Sequence, residues 1–141
     1  MLFSKRERRI RRILIAEDEP LVAFDSEHML GEDGYEVVAT VDNVADAERV
    51  IAEEPLDLIL ADIALTGDRS GVDLARIAAA KGVPVLFVTG NCPEEARGLS
   101  VGCLAKPYTE KTLKSALQVL DRALQGLKVK KLPAGLSLYA V

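Results

Sequence analysis

The sequence predicts a doubly wound α/β domain, a parallel sheet covered by helices on both faces, and two observations lead there. Short runs rich in Val, Ile and Leu alternate with longer amphipathic stretches, so the hydrophobic period switches repeatedly between strand-like and helix-like. The strand-like runs are apolar on both faces, as strands buried between two helical layers must be.

The elements follow in order. RILIAE (12–17) reads as the first strand and the amphipathic stretch near 20–32 as a helix; EVVATV (36–41) and the stretch near 44–53 form the second pair. DLILAD (57–62) is followed by a helix near 71–81, and PVLFVT (84–89) by a short helical segment near 93–99. A brief strand, GCLAK (102–106), and a long helix at 109–125 close the series. Leu113, Leu117, Leu120, Leu124 and Leu127 recur on that last helix at spacings of four and three, which suits a core-facing stripe. Ala116, Val119 and Ala123 widen its apolar arc and leave room for a partner, including a dimer through this helix.

Length and charge bound the organisation. A chain of 141 residues, 49% of them hydrophobic, is expected to close one sizeable core, and a second output domain is not expected within it. The net charge of −4 is uneven, because residues 1–12 hold Lys5, Arg6, Arg8, Arg9, Arg11 and Arg12 against Glu7. The expected division is a basic N-terminal arm (1–11), a folded body (12–126) and a C-terminal tail (127–141). The arm lacks interleaved aromatics and the body is acidic, so DNA binding is not the expectation. No apolar run reaches membrane-span length and no secretory signal is visible, which points to a cytoplasmic protein without membrane insertion. Cys92 and Cys103 fit that compartment as unpaired, half-buried thiols, outside any zinc-like cluster. His28, the only histidine, has no companion ligand and reads as a surface or helix-packing residue.

In an open parallel sheet, chemistry gathers at the carboxyl ends of the strands. Here the first strand ends in Glu17 and Asp18, the third in Asp62, the fourth in Thr89, and the fifth in Lys106 followed by Pro107. Three carboxylates at one edge repel one another unless they share a cation. Hard oxygen donors without His or Cys favour Mg²⁺. Beside a bound metal, Asp62 becomes a nucleophile suited to a phosphoryl group.

These residues, in this order and at these strand ends, resemble the receiver domains of two-component response regulators over roughly residues 12–125. The resemblance implies a flavodoxin-like sheet in the order 2-1-3-4-5. It implies Asp62 as phosphoacceptor, with Thr89 and Lys106 contacting phosphoryl oxygens. Asp18 would be a direct metal ligand, Glu17 one acting through water, and the backbone carbonyl of Ala64 a further ligand. The donor would be the phosphohistidine of a sensor histidine kinase or a histidine phosphotransfer protein. Output would pass through protein contacts or onward phosphotransfer, making the chain a switch that assists its own phosphorylation and dephosphorylation. The loop IALTGDRSG has Thr66 where receivers usually carry proline, and the stretch between Thr89 and Lys106 is short, which implies a shortened fourth helix. With VLFVTGN, these features resemble a subgroup that includes single-domain regulators with an FATG-type motif. Cys103 stands where receivers usually place an inward-swinging aromatic residue, so switching is expected to run through the segment 91–101. Two other functions compete. A phosphorylation-independent interaction module would have no need of the complete set of five site residues, and a phosphatase would need an acid two residues after Asp62, where Ala64 stands.

Overall fold

The computed structural model describes residues 8–139. It places β1 (Arg12–Ala16), α1 (Pro20–Glu32), β2 (Glu36–Val41), α2 (Val44–Glu53), β3 (Leu58–Ala61) and α3 (Gly71–Ala80) in succession. Then come β4 (Val85–Thr89), a 3-10 turn (Glu94–Gly98), β5 (Gly102–Ala105), α4 (Glu110–Leu124) and β6 (Leu136–Leu138). The sheet order is β2-β1-β3-β4-β5-β6. The first five strands are parallel, in the flavodoxin-like order expected, and the fourth helix is reduced to the 3-10 turn. β6 is an addition. It lies in the stretch read as a tail and pairs antiparallel with β5, Cys103 opposite Ser137.

Strand alternation divides the core into two layers. Ile13, Ile15, Leu58, Leu60, Leu86 and Leu104 face α1 and α4, where Leu30, Leu113, Leu117 and Leu120 meet them. Leu14, Ala16, Ile59, Ala61, Phe87 and Cys103 face α2, α3 and the 3-10 turn. The helices begin where the sequence supplies caps. Pro20 occupies the first turn of α1, Asn43 accepts the Asp46 N–H ahead of α2, and Ser70 and Thr109 form capping boxes with Asp73 and Thr112. The leucine stripe of α4 is core-facing as its spacing predicts, although Leu127 falls beyond the helix and is exposed.

Residues 1–7 of the basic arm lie outside the described residues, as do residues 140 and 141 of the tail. Residues 8–11 are part of the packed body. Ile10 is fully buried, the Arg8 guanidinium lies 4.3 Å over the Tyr35 ring, and the Arg9 and Ile10 N–H groups donate to the buried carboxylate of Asp121 at 2.9 Å. Asp57 accepts the next two N–H groups, from Arg11 and Arg12. Asp121→Ala would leave two backbone donors at the start of β1 without their acceptor. We expect a loss of about 3 kcal/mol in urea unfolding, from the charged hydrogen bonds removed and the donors stranded.

The cysteines correct the sequence-based expectation. Cys92 and Cys103 are joined in a disulfide rather than standing as separate thiols. Spacing gave no hint of this, because they stand eleven positions apart and a 3-10 turn brings one back over the other.

Candidate active site

Glu17, Asp18 and Asp62 each follow a central strand, and because β1 and β3 are neighbours in register the three carboxylates converge. One oxygen from each lies within 4.8 Å of the others. Asp62 is held by its backbone as well, its N–H donating to the Ala16 carbonyl at 2.9 Å. The Ala64 N–H donates to Asp62 Oδ1 at 3.3 Å, so the loop after β3 folds back over the carboxylate.

Lys106 enters from the end of β5. Its Nζ lies 2.6 Å from Asp62 Oδ2, 2.7 Å from Glu17 Oε1 and 3.7 Å from Glu19 Oε1. The repulsion that the sequence reading assigned to a shared metal is therefore met in part by this ammonium. Burial is the largest influence on the Lys106 pKa and works to lower it, but the hydrogen bonds and charges of Asp62 and Glu17 outweigh burial and raise it. Lys106 is thus firmly charged at neutral pH. Burial pushes the Glu17 carboxyl above its ordinary value, opposed by the hydrogen bonds from Lys106 and the Glu19 N–H and reinforced by the nearby Asp62 charge. Glu17 and Asp62 are both almost fully buried.

Thr89 ends β4, is buried, and sits opposite Ala105, so its backbone carbonyl accepts the Lys106 N–H at 2.9 Å. Its hydroxyl oxygen accepts a long hydrogen bond from the Asn91 N–H at 3.5 Å. The bond from Lys106 to Pro107 is cis.

Three features of the site escaped the sequence. Glu19 is an outer partner of Lys106, and its signal was adjacency to the acidic pair. Ser26 on α1 hydrogen-bonds the Tyr108 hydroxyl, pinning the residue two beyond Lys106 to the first helix. Gly71 packs directly beneath the acidic loop. A Cβ at that position would stand 2.1 Å from the Asp62 carbonyl oxygen, which only glycine permits.

The donor set fits Mg²⁺, since three carboxylates converge and neither a thiolate nor an imidazole takes part. Glu17, Asp18 and Asp62 are the residues that would hold it. Chemically the arrangement offers a fixed carboxylate oxygen as nucleophile, a permanent cation beside it, and a hydroxyl one strand away.

Sheet order, strand-end carboxylates and the paired lysine define a receiver-type phosphoacceptor fold. The chain belongs to the response regulator receiver domain family, whose pattern it matches over residues 13–118. It is 32% identical over 115 residues to the transcriptional regulatory protein PdtaR of Mycobacterium tuberculosis, covering 77% of this chain and 56% of that one. It is 35% identical over 106 residues to the phyllosphere-induced regulator PhyR of Methylorubrum extorquens, covering 68% and 38%. The chain thus spans about half the length, or less, of these curated relatives. Among solved structures it resembles the receiver domain of a Pseudomonas aeruginosa PAO1 sensor histidine kinase, whose crystal structure has a magnesium ion coordinated in the active-site cleft. That match has a TM-score of 0.67 and 29% identity, and covers 77% of this chain and 94% of that one. Phosphorylation-dependent signalling is the general function of this family. Among the described residues no helix is long and apolar enough to cross a membrane.

Proposed function

We propose that this chain is a phosphorylation switch in which Asp62 accepts a phosphoryl group from the phosphohistidine of a sensor kinase or histidine phosphotransfer protein. The observation that supports this most is the buried Asp62 carboxylate, fixed by its own backbone and touching the Lys106 ammonium at 2.6 Å within an acidic cluster.

In the transfer, an Asp62 oxygen attacks phosphorus in line. The P–O bond forms as the P–N bond breaks, and the electron pair returns to the donor imidazole. The transition state is loose and its charge sits on the equatorial oxygens, so positioned cations contribute most of the acceleration. Glu17, Asp18 and Asp62, with the Ala64 carbonyl, would hold a Mg²⁺ ion, which when bound would supply part of that positive charge. Lys106 supplies the rest by shifting from the carboxylate to a phosphoryl oxygen. The Thr89 hydroxyl donates to another oxygen, which draws the end of β4 and the segment after it toward the site. Output then passes by protein contact or onward transfer, in keeping with a cytoplasmic signalling protein. Leu21 and Phe24, in the first turns of α1 after the acidic pair, are 79% and 68% exposed and offer an apolar surface to a docking phosphodonor. A dimer through α4 would use its half-buried Val119 and Leu124.

Incubation with Mg²⁺ and a small acyl phosphate, read by intact mass, tests the proposal. One added phosphoryl group is expected with Mg²⁺ and none with chelator; no addition under either condition overturns it. Metal titration tests the ligand roles. Asp18→Ala should weaken Mg²⁺ binding more than Glu17→Ala, because a direct ligand contributes more than one acting through water. Equal losses would contradict the assignment.

A further inference from the structure

The disulfide lies between the two segments that carry Thr89 and Lys106. Cys92 is three residues past Thr89, and Cys103 is three residues before Lys106. Cys103 is fully buried in β5, paired with Phe87 on one side and Ser137 of β6 on the other. Cys92 is half-buried at the start of the 3-10 turn. The turn itself has a thin hold on the sheet. Its one buried side chain is Ala96, helped by the Ser100 hydroxyl donating to the Ala96 carbonyl and by Arg97 lying 5.4 Å over the Tyr139 ring that follows β6. The covalent bond is the strongest tie between this segment and β5.

We propose that Cys92 and Cys103 form a reversible thiol–disulfide site, opened by a protein dithiol, whose closed form clamps residues 90–101 onto β5. The inference rests on the phosphoacceptor reading in one respect. A protein fed by a phosphohistidine kinase works in a reducing compartment, where protein disulfides are mostly transient and redox-sensing. The chemistry follows from access. A thiolate of the reductant attacks the reachable Cys92 Sγ, the Sγ–Sγ bond breaks, and the Cys103 thiolate leaves and takes a proton. The second thiol of the reductant then attacks the mixed disulfide, releasing Cys92 as a thiolate that is protonated in turn. Two electrons pass to the receiver and the reductant leaves as a disulfide; an oxidised dithiol runs the exchange backwards. Closed, the site restrains the segment that Thr89 would pull on when Asp62 is phosphorylated. Open, it lets that segment rearrange. Redox state thus governs how far phosphorylation is transmitted, while leaving the acceptor untouched.

The test uses the full chain, oxidised or treated with reduced thioredoxin under native conditions, trapped with N-ethylmaleimide and weighed. Reduction should add one maleimide at the reachable Cys92 while the protein stays folded, and a second at the buried Cys103 once the trapped protein is denatured in excess reagent. Hydrogen exchange should then quicken about tenfold or more in residues 90–101, with β1 unchanged. Cys92→Ser, at the more exposed end, should show the fast pattern whatever the redox treatment, and it serves even if Cys103→Ser fails to fold. A bond that yields only in denaturant, or identical exchange in the two forms, overturns the proposal. Neither readout requires phosphorylation, so it stands or falls separately from Asp62. Intact mass after acyl phosphate treatment reports that reading in both redox forms.

Discussion

Replacing Lys106 by methionine strips the buried carboxylates of their resident cation, and the metal-free protein should lose about 3 kcal/mol of stability, as expected when one partner of a buried ion pair is removed. Lys106 touches both Asp62 and Glu17, and each of these side chains is less than a tenth exposed, so water compensates only poorly for the lost ammonium. Mg²⁺ should restore much of the loss. It should also bind the variant more tightly than the native protein, because Lys106 no longer occupies Asp62 Oδ2. Phosphoryl transfer should nevertheless slow on the order of 100-fold, since a fixed cation has gone from the equatorial oxygens. Urea unfolding with and without Mg²⁺, together with the rate of mass gain from acyl phosphate, measures all three. Unchanged stability without Mg²⁺ would mean that the ion pair contributes nothing.

Gly71→Val should disable the site from beneath. The new Cβ would stand 2.1 Å from the Asp62 carbonyl oxygen and 2.9 Å from the Ile63 Cα, and both obstacles are backbone that no rotamer change can move aside. Gly71 also donates its N–H to the Ile63 carbonyl at 2.7 Å, so helix α3 cannot retreat without breaking that bond. The expected cost is about 3 kcal/mol of stability from overpacking. Displacing the acceptor by about an ångström should slow phosphoryl transfer a further 100-fold or so. Gly31→Val, which meets nothing within 4 Å, is the control for a valine placed in a helix. Comparable behaviour of the two variants in unfolding and in mass gain would contradict the close-packing account.

Most of the fold was legible because its strands are short apolar runs and its helices are amphipathic, and the two periods differ too much to be confused. The acidic pair, Asp62, Thr89 and Lys106 could be gathered onto one edge because each ends a parallel strand. What escaped depends on contacts distant in sequence. β6 is three residues with no lasting alternation, and it is a strand only because β5 offers it an open edge. Asp121 reads as a polar interruption of a leucine stripe until Arg9 and Ile10, more than a hundred residues earlier, donate to it. The Cys92–Cys103 bond requires knowing that the turn at 94–98 doubles back. The role of Lys106 was half legible. Its position at a strand end was clear, but the sequence could not show that its ammonium already rests between two carboxylates.

If Asp62 carries the phosphoryl group, chemical trapping of the acyl phosphate will mark that residue. The protein is phosphorylated with an acyl phosphate and Mg²⁺, treated with borohydride, digested and sequenced by tandem mass spectrometry. Borohydride reduces a phosphorylated aspartate to homoserine and leaves a free carboxylate alone. Homoserine is expected at position 62 and at no other position, with none in Asp62→Asn treated alongside. An unaltered Asp62 in protein that has gained a phosphoryl group, or homoserine at Asp18 instead, would contradict it.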